Sequence, residues 1–462
     1  MNNLEIANIL SGDIIVAPAT PKGRSAIAGI RISGDGCHDF VWRALQLKPK
    51  PAEFEANRAY VVYFSIEPPG AKSISDRAVA IVYKSPKSYT GEDMVELFVH
   101  GNPILVEAII SLLTSLGARL AYPGEFTLRA VMNGKMDLIQ AESVAATVNA
   151  QTLAAVASAR NAAQKSRELK ELWQKLHEIL VEVVAALEFP EDEVPMTSER
   201  KWLTSLRGVK EKLESYLSRA RSSRVLSEGF TVAISGAPNV GKSTLFNCIV
   251  GAEKAIVTPH PGTTRDIIEA TIELDGVPVK IMDTAGIRET AHPVEHEGIR
   301  RAKNALSTAD LVLWLVEANS ESPQPPPKKD FVVVVNKVDL GVSEKVKKLY
   351  PNAVQTIAKD CKGIDAIISI IRNAIAKVPS DSLLFSLRTQ ERLDATYTAL
   401  CDALDALDKG FLDVAEVELD RADAILGEFF QPKEARDIYE EVFAKFCIGK
   451  CCLLYTSPSP RD

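Results

Sequence analysis

The sequence predicts a multidomain protein that combines α+β and α/β units, and three observations indicate this class. The length of 462 residues suggests two to four domains of about 100–200 residues each. Strand-like stretches separated by turn residues fill positions 13–100, and a long stretch of helix-forming composition follows them. A later block alternates apolar strands with helical segments, which is typical of a mostly parallel sheet covered by helices.

The first segment, residues 1–120, is predicted to be a β-rich α+β domain. Its strand-like stretches are DIIVAPAT, SAIAGIRISG, RAYVVYFSI, RAVAIVYKS and MVELFVHG. From Pro103 to about Leu116 the pattern becomes helical, so at least one helix is expected beside the strands.

Two further segments, residues 121–225 and 380–450, are predicted to be helical. Between Met136 and Phe189 there is neither Gly nor Pro, and Ala, Glu, Lys and Leu dominate, which predicts one or two long helices that stop at Pro190. A further helix is expected from about Glu199 to Ser223. We expect both segments to form one discontinuous helical domain, with the α/β block of residues 226–379 inserted between them.

The last dozen residues have a different character. Reverse translation of the end of the chain fits a common transposase-type sequencing adaptor, so residues 451–462 are predicted to be a sequencing artefact. The genuine chain would then end at Lys450. An ordinary disordered tail, rich in Ser and Pro, is the alternative.

Composition and charge indicate the class of protein and its cellular compartment. Hydrophobic residues make up 46% and charged residues 25% of the chain, as in ordinary soluble globular proteins. A net charge of −7 argues against a globally basic nucleic-acid-binding surface, although a local basic patch is compatible with it. No apolar run reaches the ~18–20 residues of a membrane span, and the N-terminus lacks a signal pattern. The sequence therefore predicts a cytoplasmic protein without membrane contact.

The cysteines support the same compartment. Outside the suspected artefact they show no CxxC spacing and no metal-binding framework. These cysteines are therefore predicted to be reduced thiols. They are Cys37, Cys248, Cys361, Cys401 and Cys447.

A P-loop pattern identifies a phosphate-binding site. In SGAPNVGKST, Gly236, Gly241, Lys242 and Ser243 follow the strand TVAIS and open a helix. The glycines allow backbone N–H groups to surround phosphates, Lys242 neutralises β- and γ-phosphate oxygens, and the Ser243 hydroxyl suits Mg²⁺. The sequence therefore predicts a nucleoside triphosphate site.

Two later motifs define the nucleotide. IMDTAG places Asp283 at a strand end, where it can hold the metal through water, and places the Gly286 N–H near the γ-phosphate. NKVD places Asn336 and Asp339 after the strand FVVVV, and the Asp339 carboxylate can accept from the N1–H and 2-amino groups of guanine. The order P-loop, TTRD, DTAG, NKVD resembles the translation-factor-like GTPases. A nucleotide fold without activity is the alternative, and the intact phosphate-binding groups disfavour it.

The route of hydrolysis differs from that of Ras-like enzymes. Ile287 follows Gly286, where such enzymes carry a glutamine that orients water, and an apolar side chain cannot polarise water. Asn239 lies inside the P-loop, where an amide oxygen suits a monovalent cation better than an anion. For Asn239 the alternative is a loop-capping residue. Glu295, downstream in VEHEGIRRA, would on the pattern alone be a solvated carboxylate.

The motifs together resemble one family. GAPNVGKSTLFN, AIVTPHPGTTRD, DTAGIRET, VEHEGIRRA, PGEFTLRAVMNGKMDLIQAE and the ending FCIGK closely resemble the MnmE (TrmE) family of tRNA-modification GTPases, over about Ile14 to Lys450. The resemblance implies a folate-binding N-terminal domain, a discontinuous helical domain and an inserted Ras-like GTPase domain. It also implies a homodimer, K⁺-dependent GTP hydrolysis, and a heterotetramer with an MnmG-type flavoprotein. Together the two proteins would install an aminomethyl-type (carboxymethylaminomethyl) group at C5 of a wobble uridine of certain tRNAs, using 5-formyl-tetrahydrofolate or a related one-carbon folate.

The resemblance assigns the nucleotide site residue by residue. The GTP contacts would be Asn239, Val240, Gly241, Lys242, Ser243, Thr244, Thr258, Thr263, Thr264, Asp283, Thr284, Ala285, Gly286, Asn336, Lys337, Asp339, Ala358 and Lys359. Mg²⁺ would be held by Ser243 and Thr264, and K⁺ by Asn239, Thr258, the backbone of His260, and Thr263. Glu295 would orient the water that Ile287 cannot, with Lys242 as the second catalytic residue. Ile357 replaces the usual serine of the Ser-Ala-Lys guanine triplet, while the Ala358 N–H is retained for guanine O6.

Folate and modification chemistry are assigned to other positions. The folate contacts would be Arg31, Glu96, Lys135 and Lys450, and Cys447 would serve the modification chemistry. From the pattern alone, Arg31 and Glu96 are either ligand contacts or residues of a solvent-facing sheet edge. A small buried thiol is the alternative for Cys447. Asn102 replaces the usual second glycine after His100, which could alter a backbone approach near the folate.

A different function class is also considered. An RNA- or ribosome-binding GTPase switch of the Era or Der type would carry the same GTPase motifs without modification chemistry. The chain has one P-loop and lacks a GxxG-type KH loop after it, which disfavours this alternative.

Overall fold

A computed structural model describes residues 13–67, 72–188, 198–252, 255–256, 268–283, 309–323, 325, 331–375 and 381–431. The described residues divide into two compact units. The first unit draws on residues 1–148, 162–214 and 385–462, and the second on residues 149–161 and 215–384. The five-segment domain division expected from the sequence stays a prediction.

A mixed sheet organises the first unit. Its strands are β1 (Ile15–Pro18), β2 (Ser25–Ser33), β3 (Arg58–Ile66), β4 (Ile74–Tyr83), β5 (Met94–Gly101) and β6 (Arg119–Leu120). Among the described residues their order is β3-β4-β5-β2-β1-β6, with antiparallel pairs except for the parallel pair β1–β6. The five long sequence stretches predicted as strands correspond to β1–β5.

The largest hydrophobic cluster beside this sheet lies on one of its faces. Alternate residues of the strands are buried there, such as Val62 and Phe64 of β3, because successive side chains of a strand point to opposite faces. Two helices cover this face: α1 (Cys37–Ala44) and α2 (Pro103–Ser115). Asn102 caps α2, since its side-chain oxygen accepts from the Ile104 N–H at 3.0 Å and Pro103 follows at the first helical position. Asn102 therefore starts a helix in a place where the family usually has glycine.

Helices make up most of the remaining described residues of the first unit. They are α3 (Glu125–Met132), α4 (Leu138–Asn149), α5 (Leu153–Glu188), α6 (Ser198–Glu228), α10 (Leu387–Asp408) and α11 (Leu412–Gly427), of which α5 and α6 also contribute to the second unit. Glu142 of α4 accepts hydrogen bonds from Ser386, at 2.6 Å, and from Thr389 at the start of α10. This contact joins the two helical segments that the sequence separates by the α/β block. The part of the second segment beyond residue 431 lies outside the described residues.

The second unit contains the α/β block. Its strands are β7 (Phe230–Gly236), β8 (Ala255–Ile256), β9 (Ile268–Leu274), β10 (Val277–Asp283), β11 (Leu311–Glu317), β12 (Phe331–Asn336) and β13 (Val354–Thr356). Among the described residues the sheet order is β13-β12-β11-β7-β10-β9-β8. The pairs from β13 to β10 are parallel, and β9 pairs antiparallel with both of its neighbours. Among the described residues, the α-helices that lie wholly within this unit are α7 (Lys242–Ala252), α8 (Glu344–Leu349) and α9 (Ile364–Ala374). The predicted combination of mixed sheets and helices in a multidomain chain is confirmed.

One prediction about the cysteines is wrong. Cys248 and Cys361 form a disulfide, although both were expected as reduced thiols. The pair joins residues 113 positions apart, so sequence spacing gives no sign of it. Cys37 is free and buried, Cys401 is free and half-buried, and Cys447 lies outside the described residues.

The helices of the described ranges bear on whether the chain crosses a membrane. None of them combines the length and the apolar character that crossing a bilayer requires.

Candidate nucleotide site

The candidate site lies at the carboxyl edge of the second sheet. Strand β7 pairs in parallel with β10 and with β11, and β12 lies beyond β11. Because these strands run in the same direction, their carboxyl ends bring Gly236, Asp283, Glu317 and Asn336 to one edge, where open α/β sheets bind ligands. Three of these four residues belong to motifs that the sequence analysis selected; Glu317 does not.

Two P-loop positions require glycine. At Gly236, with φ of +147°, a Cβ atom would lie 2.3 Å from the Leu315 carbonyl oxygen of the adjacent strand. At Gly241, with φ of +99°, it would lie 2.4 Å from Nδ2 of Asn336. Both separations are far below contact distance, and both φ values are ones that residues with side chains rarely adopt. The glycines thus let the loop turn tightly from β7 into α7.

The Lys242 side chain lies against the P-loop. Its Nζ donates to the carbonyl oxygens of Gly236, at 2.9 Å, and Ala237, at 2.8 Å. Burial lowers the pKa of Lys242 below its ordinary value, and the nearby Asp283 carboxylate opposes that shift. The side chain is therefore held over the P-loop, in the position that phosphate neutralisation requires.

Ser243 and Asp283 form the described part of a candidate metal site. The Ser243 hydroxyl donates to Oδ2 of Asp283 at 2.7 Å, and Asp283 is fully buried while Ser243 is exposed. A hydroxyl beside a carboxylate is a hard-oxygen donor set of the kind that Mg²⁺ prefers. These two residues fit the ion. The second predicted ligand, Thr264, lies outside the described residues.

Asn336 connects the P-loop to the candidate guanine loop, residues 357–359. Its Nδ2 donates to the Val240 carbonyl oxygen at 2.8 Å, and its Oδ1 accepts from the Ala358 N–H at 2.9 Å. The Thr356 hydroxyl donates to the same Oδ1 at 3.2 Å. Since Asn336 and Ala358 are each only 2% exposed, these bonds form away from water. The Ala358 N–H that the resemblance assigns to guanine O6 is engaged by Asn336, so a guanine base would share it.

Lys337 and Asn239 form a second link across the site. Both have left-handed backbones, with φ of 63° and 61°. Lys337 Nζ donates to the Asn239 carbonyl oxygen at 3.0 Å and pairs with Glu317 at 2.8 Å. Sequence reasoning missed Glu317 and Thr356. The signal for Glu317 was available, because it is the first charged residue after the apolar run of β11.

The other predicted nucleotide contacts fall into two groups. Thr244, Asp339 and Lys359 are exposed within the same unit, where a ligand can reach them. The following lie outside the described residues: Thr258, His260, Thr263, Thr264, Thr284, Ala285, Gly286, Ile287 and Glu295.

Arg31 and Glu96, two of the predicted folate contacts, form a buried ion pair. They lie opposite each other on β2 and β5, inside the first sheet, and are 3% and 4% exposed. Arg31 Nε donates to Glu96 Oε1 at 2.9 Å. The sheet-edge interpretation is therefore wrong, because β2 and β5 each have a strand on both sides.

Aromatic residues surround this pair. The Arg31 guanidinium lies 5.2 Å from the centre of the Tyr89 ring and 5.7 Å from that of Phe126. The Tyr83 hydroxyl donates to Glu96 Oε2 at 3.1 Å. Burial, helped by the Glu96 carboxylate, raises the pKa of Tyr83 to about 12, so the hydroxyl keeps its proton. The cluster can offer charged hydrogen-bonding groups beside aromatic faces.

Lys135 is the remaining described folate candidate. Its Nζ donates to the Pro86 carbonyl oxygen at 2.8 Å on the surface of the first unit. Lys450 and Cys447 lie outside the described residues.

Comparisons with known proteins, by family models and by whole sequences, point to one family. The family model described as "GTP-binding protein TrmE N-terminus" matches residues 14–135, and the "MnmE helical domain" model matches residues 138–447. The chain is 37% identical to the tRNA modification GTPase MnmE of Aquifex aeolicus over 456 residues, which is 94% of this chain and 99% of the relative. It is also 37% identical to the same-named protein of Thermus thermophilus over 444 residues, which is 95% of this chain and 99% of the relative.

Solved structures match parts of the chain. Era of Aquifex aeolicus, bound to GDP and aluminium fluoride, is 27% identical, covers 37% of this chain and 66% of its own, and has a TM-score of 0.25. The FeoB G domain of Methanococcus jannaschii is 24% identical, covers 32% of this chain and 97% of its own, and has a TM-score of 0.23. Because the second family model spans more than half of the chain and the MnmE proteins match over nearly their whole length, the chain belongs to the MnmE family of tRNA modification GTPases.

Proposed function

We propose that this GTPase depends on K⁺ and acts with an MnmG-type flavoprotein to install an aminomethyl-type (carboxymethylaminomethyl) group at C5 of the wobble uridine of certain tRNAs. The observation that carries the nucleotide part is the Asn336 side chain, which binds the P-loop and the candidate guanine loop at once. Family membership supports the tRNA part. It also favours this function over an Era- or Der-like switch, which no observation specifically supports.

The predicted site residues would contribute to nucleotide binding and hydrolysis as follows. Backbone N–H groups of the P-loop would bind phosphate oxygens, and Lys242 would neutralise their charge. Asp339 would accept from the guanine N1–H and 2-amino groups, which adenine lacks. Ser243 and Thr264 would hold Mg²⁺, which when bound neutralises charge on the phosphates. Glu295 would orient the attacking water.

The first unit would serve the one-carbon chemistry. Arg31, Glu96, Lys135 and Lys450 would bind 5-formyl-tetrahydrofolate or a related folate, and Cys447 would take part in the modification. Arg31 and Glu96 support this, because they place charged hydrogen-bonding groups beside the Tyr89 and Phe126 rings. We further propose a homodimer, a heterotetramer with the flavoprotein, and a cytoplasmic location.

GTP turnover is expected to be several-fold faster in K⁺ than in Na⁺ at equal ionic strength. Asn239, Thr258, the His260 backbone and Thr263 would hold the cation, which would supply the positive charge that an arginine finger supplies in other GTPases. The measurement is phosphate release in matched chloride salts. Asn239→Ala should remove the difference, while Asn247→Ala, which changes an exposed asparagine on α7, should retain it. Equal rates in both salts for the unchanged protein would contradict K⁺ dependence.

Loss of the gene is expected to remove the modified wobble uridine from the affected tRNAs. Nucleoside mass spectrometry of tRNA from a deletion strain tests this, with the intact gene and a Lys242→Ala variant returned separately. The intact gene should restore the nucleoside and the variant should not. If the nucleosides are unchanged while ribosome assembly fails, the Era- or Der-like alternative replaces this proposal.

A further inference from the structure

The Cys248–Cys361 disulfide lies next to the candidate guanine loop. Cys248 belongs to α7, the helix that the P-loop opens, and Cys361 directly follows the 3₁₀ turn Ala358–Asp360. Their Cα atoms are 5.5 Å apart, a usual separation for a disulfide. The Cys248 sulfur also lies 3.0 Å from the Ala358 carbonyl oxygen. The bond therefore ties the guanine loop to the helix that carries Lys242 and Ser243.

The loop around Cys361 is too tight for this residue to move independently. Ile357 and Lys362 exchange both backbone hydrogen bonds, at 3.1 and 3.2 Å, and the Cys361 N–H donates to the Ala358 carbonyl at 3.2 Å. At Gly363, which follows, an added Cβ would lie 2.3 Å from the Gln355 carbonyl oxygen. A constraint placed on Cys361 is therefore also a constraint on Ala358, and through the Ala358 N–H on Asn336.

The two cysteines differ in exposure. Cys361 is exposed, so a small oxidant or reductant can reach it, whereas Cys248 is 8% exposed. In the cytoplasm proposed above, disulfides are rare and are usually transient or redox-sensing. Both observations favour a regulatory bond over a permanent structural one.

We propose that Cys248 and Cys361 form a redox switch that controls how fast guanine nucleotide leaves the site; this rests on the proposed nucleotide function. When the disulfide is formed, the guanine loop is fastened to α7 and cannot swing away from the base. When it is reduced, the loop is held by its hydrogen bonds alone. Nucleotide release is therefore slower in the oxidised protein.

A small-molecule disulfide such as glutathione disulfide serves as the oxidant. The Cys361 thiolate attacks one sulfur of the oxidant, which forms a mixed disulfide and expels one glutathione thiolate. Cys248 then loses its proton and attacks the Cys361 sulfur, which forms the protein disulfide and expels the second glutathione. The protein loses two electrons and two protons, and the oxidant becomes two thiols. A dithiol reverses both steps.

The test compares release of a fluorescent methylanthraniloyl GDP from the full chain in two redox states. One sample is treated with glutathione disulfide and the other with dithiothreitol, and mass spectrometry of a non-reduced digest measures the linked peptide. Stopped-flow displacement by excess GDP should give several-fold slower release from the oxidised sample.

Two variants make the comparison specific. Cys361→Ser changes an exposed side chain, so it should fold, and it should release nucleotide at the fast rate in both treatments. Cys401→Ser, a free cysteine of the first unit, should keep the full redox response. Cys361→Ala should behave as Cys361→Ser does, which separates loss of the bond from any effect of the serine hydroxyl.

Three outcomes would overturn the switch. One is the absence of a linked peptide after oxidation, and another is equal release rates from samples whose linkage has been verified. The third is a redox response that persists in Cys361→Ser. Failure to bind the labelled GDP in either state would instead overturn the nucleotide site on which the proposal rests.

Discussion

Asn336→Ala is expected to weaken GDP and GTP binding by on the order of a hundredfold. The substitution removes the donor to the Val240 carbonyl and the acceptor of the Ala358 N–H, both in buried surroundings. A buried backbone group left without a partner costs about 1–3 kcal/mol, and two of them correspond to roughly two factors of ten in affinity. The P-loop and the guanine loop would then lose their shared support. Equilibrium titration with fluorescent GDP measures the effect.

The matched control is Asn352→Ala, which changes an exposed asparagine of the same unit. Its affinity should stay within about twofold of the parent, since surface substitutions away from such features change little. Thermal unfolding of both variants shows whether the sheet is intact. Near-parental affinity of a folded Asn336→Ala protein would show that the two loops hold their positions without this side chain.

Glu295→Ala is expected to lower GTP turnover by about 10²–10⁴-fold, the usual contribution of a group that orients and deprotonates water. The reason is that Ile287 follows Gly286 in the sequence, at the position where Ras-like enzymes carry a water-orienting glutamine. Affinity for GTP should remain within a few-fold of the parent, because the role concerns the transition state rather than binding. Single-turnover hydrolysis and nucleotide titration separate the two quantities.

Glu297→Ala is the control, since it removes an equal charge two positions away in VEHEGIRRA. It should hydrolyse GTP at close to the parental rate. A collapse of affinity in Glu295→Ala with an unchanged single-turnover rate would mean that Glu295 supports the fold of the site and that another group handles the water.

The parts of the site that local sequence determines were predictable. The strand, the glycines and the helix start around Lys242 lie within a dozen residues, so their spacing alone predicts the strand–loop–helix turn. The strand-end position of Asp283 follows from the apolar run before it. Each of these inferences needs only the neighbours of a residue along the chain.

The contacts that depend on which strands become neighbours were not predictable in the same way. Arg31 and Glu96 are 65 positions apart, and only the adjacency of β2 and β5 makes them a buried pair rather than edge residues. The Cys248–Cys361 bond spans 113 positions and depends on the packing of α7 beside the guanine loop. In both cases the sequence shows the residue types but not the partner, because no local period encodes long-range pairing.

The sheet order of the second unit has a consequence for synthesis of the protein. Strand β7 is the first of its sheet to leave the ribosome, yet it occupies an interior position between β10 and β11, which emerge later. Both edges of β7 stay unpaired until those strands arrive, so the phosphate-binding loop cannot be assembled early in translation. Non-local pairing of this kind slows folding and leaves apolar strands exposed meanwhile. The nascent GTPase block therefore passes through a period in which the apolar strand β7 is exposed to aggregation.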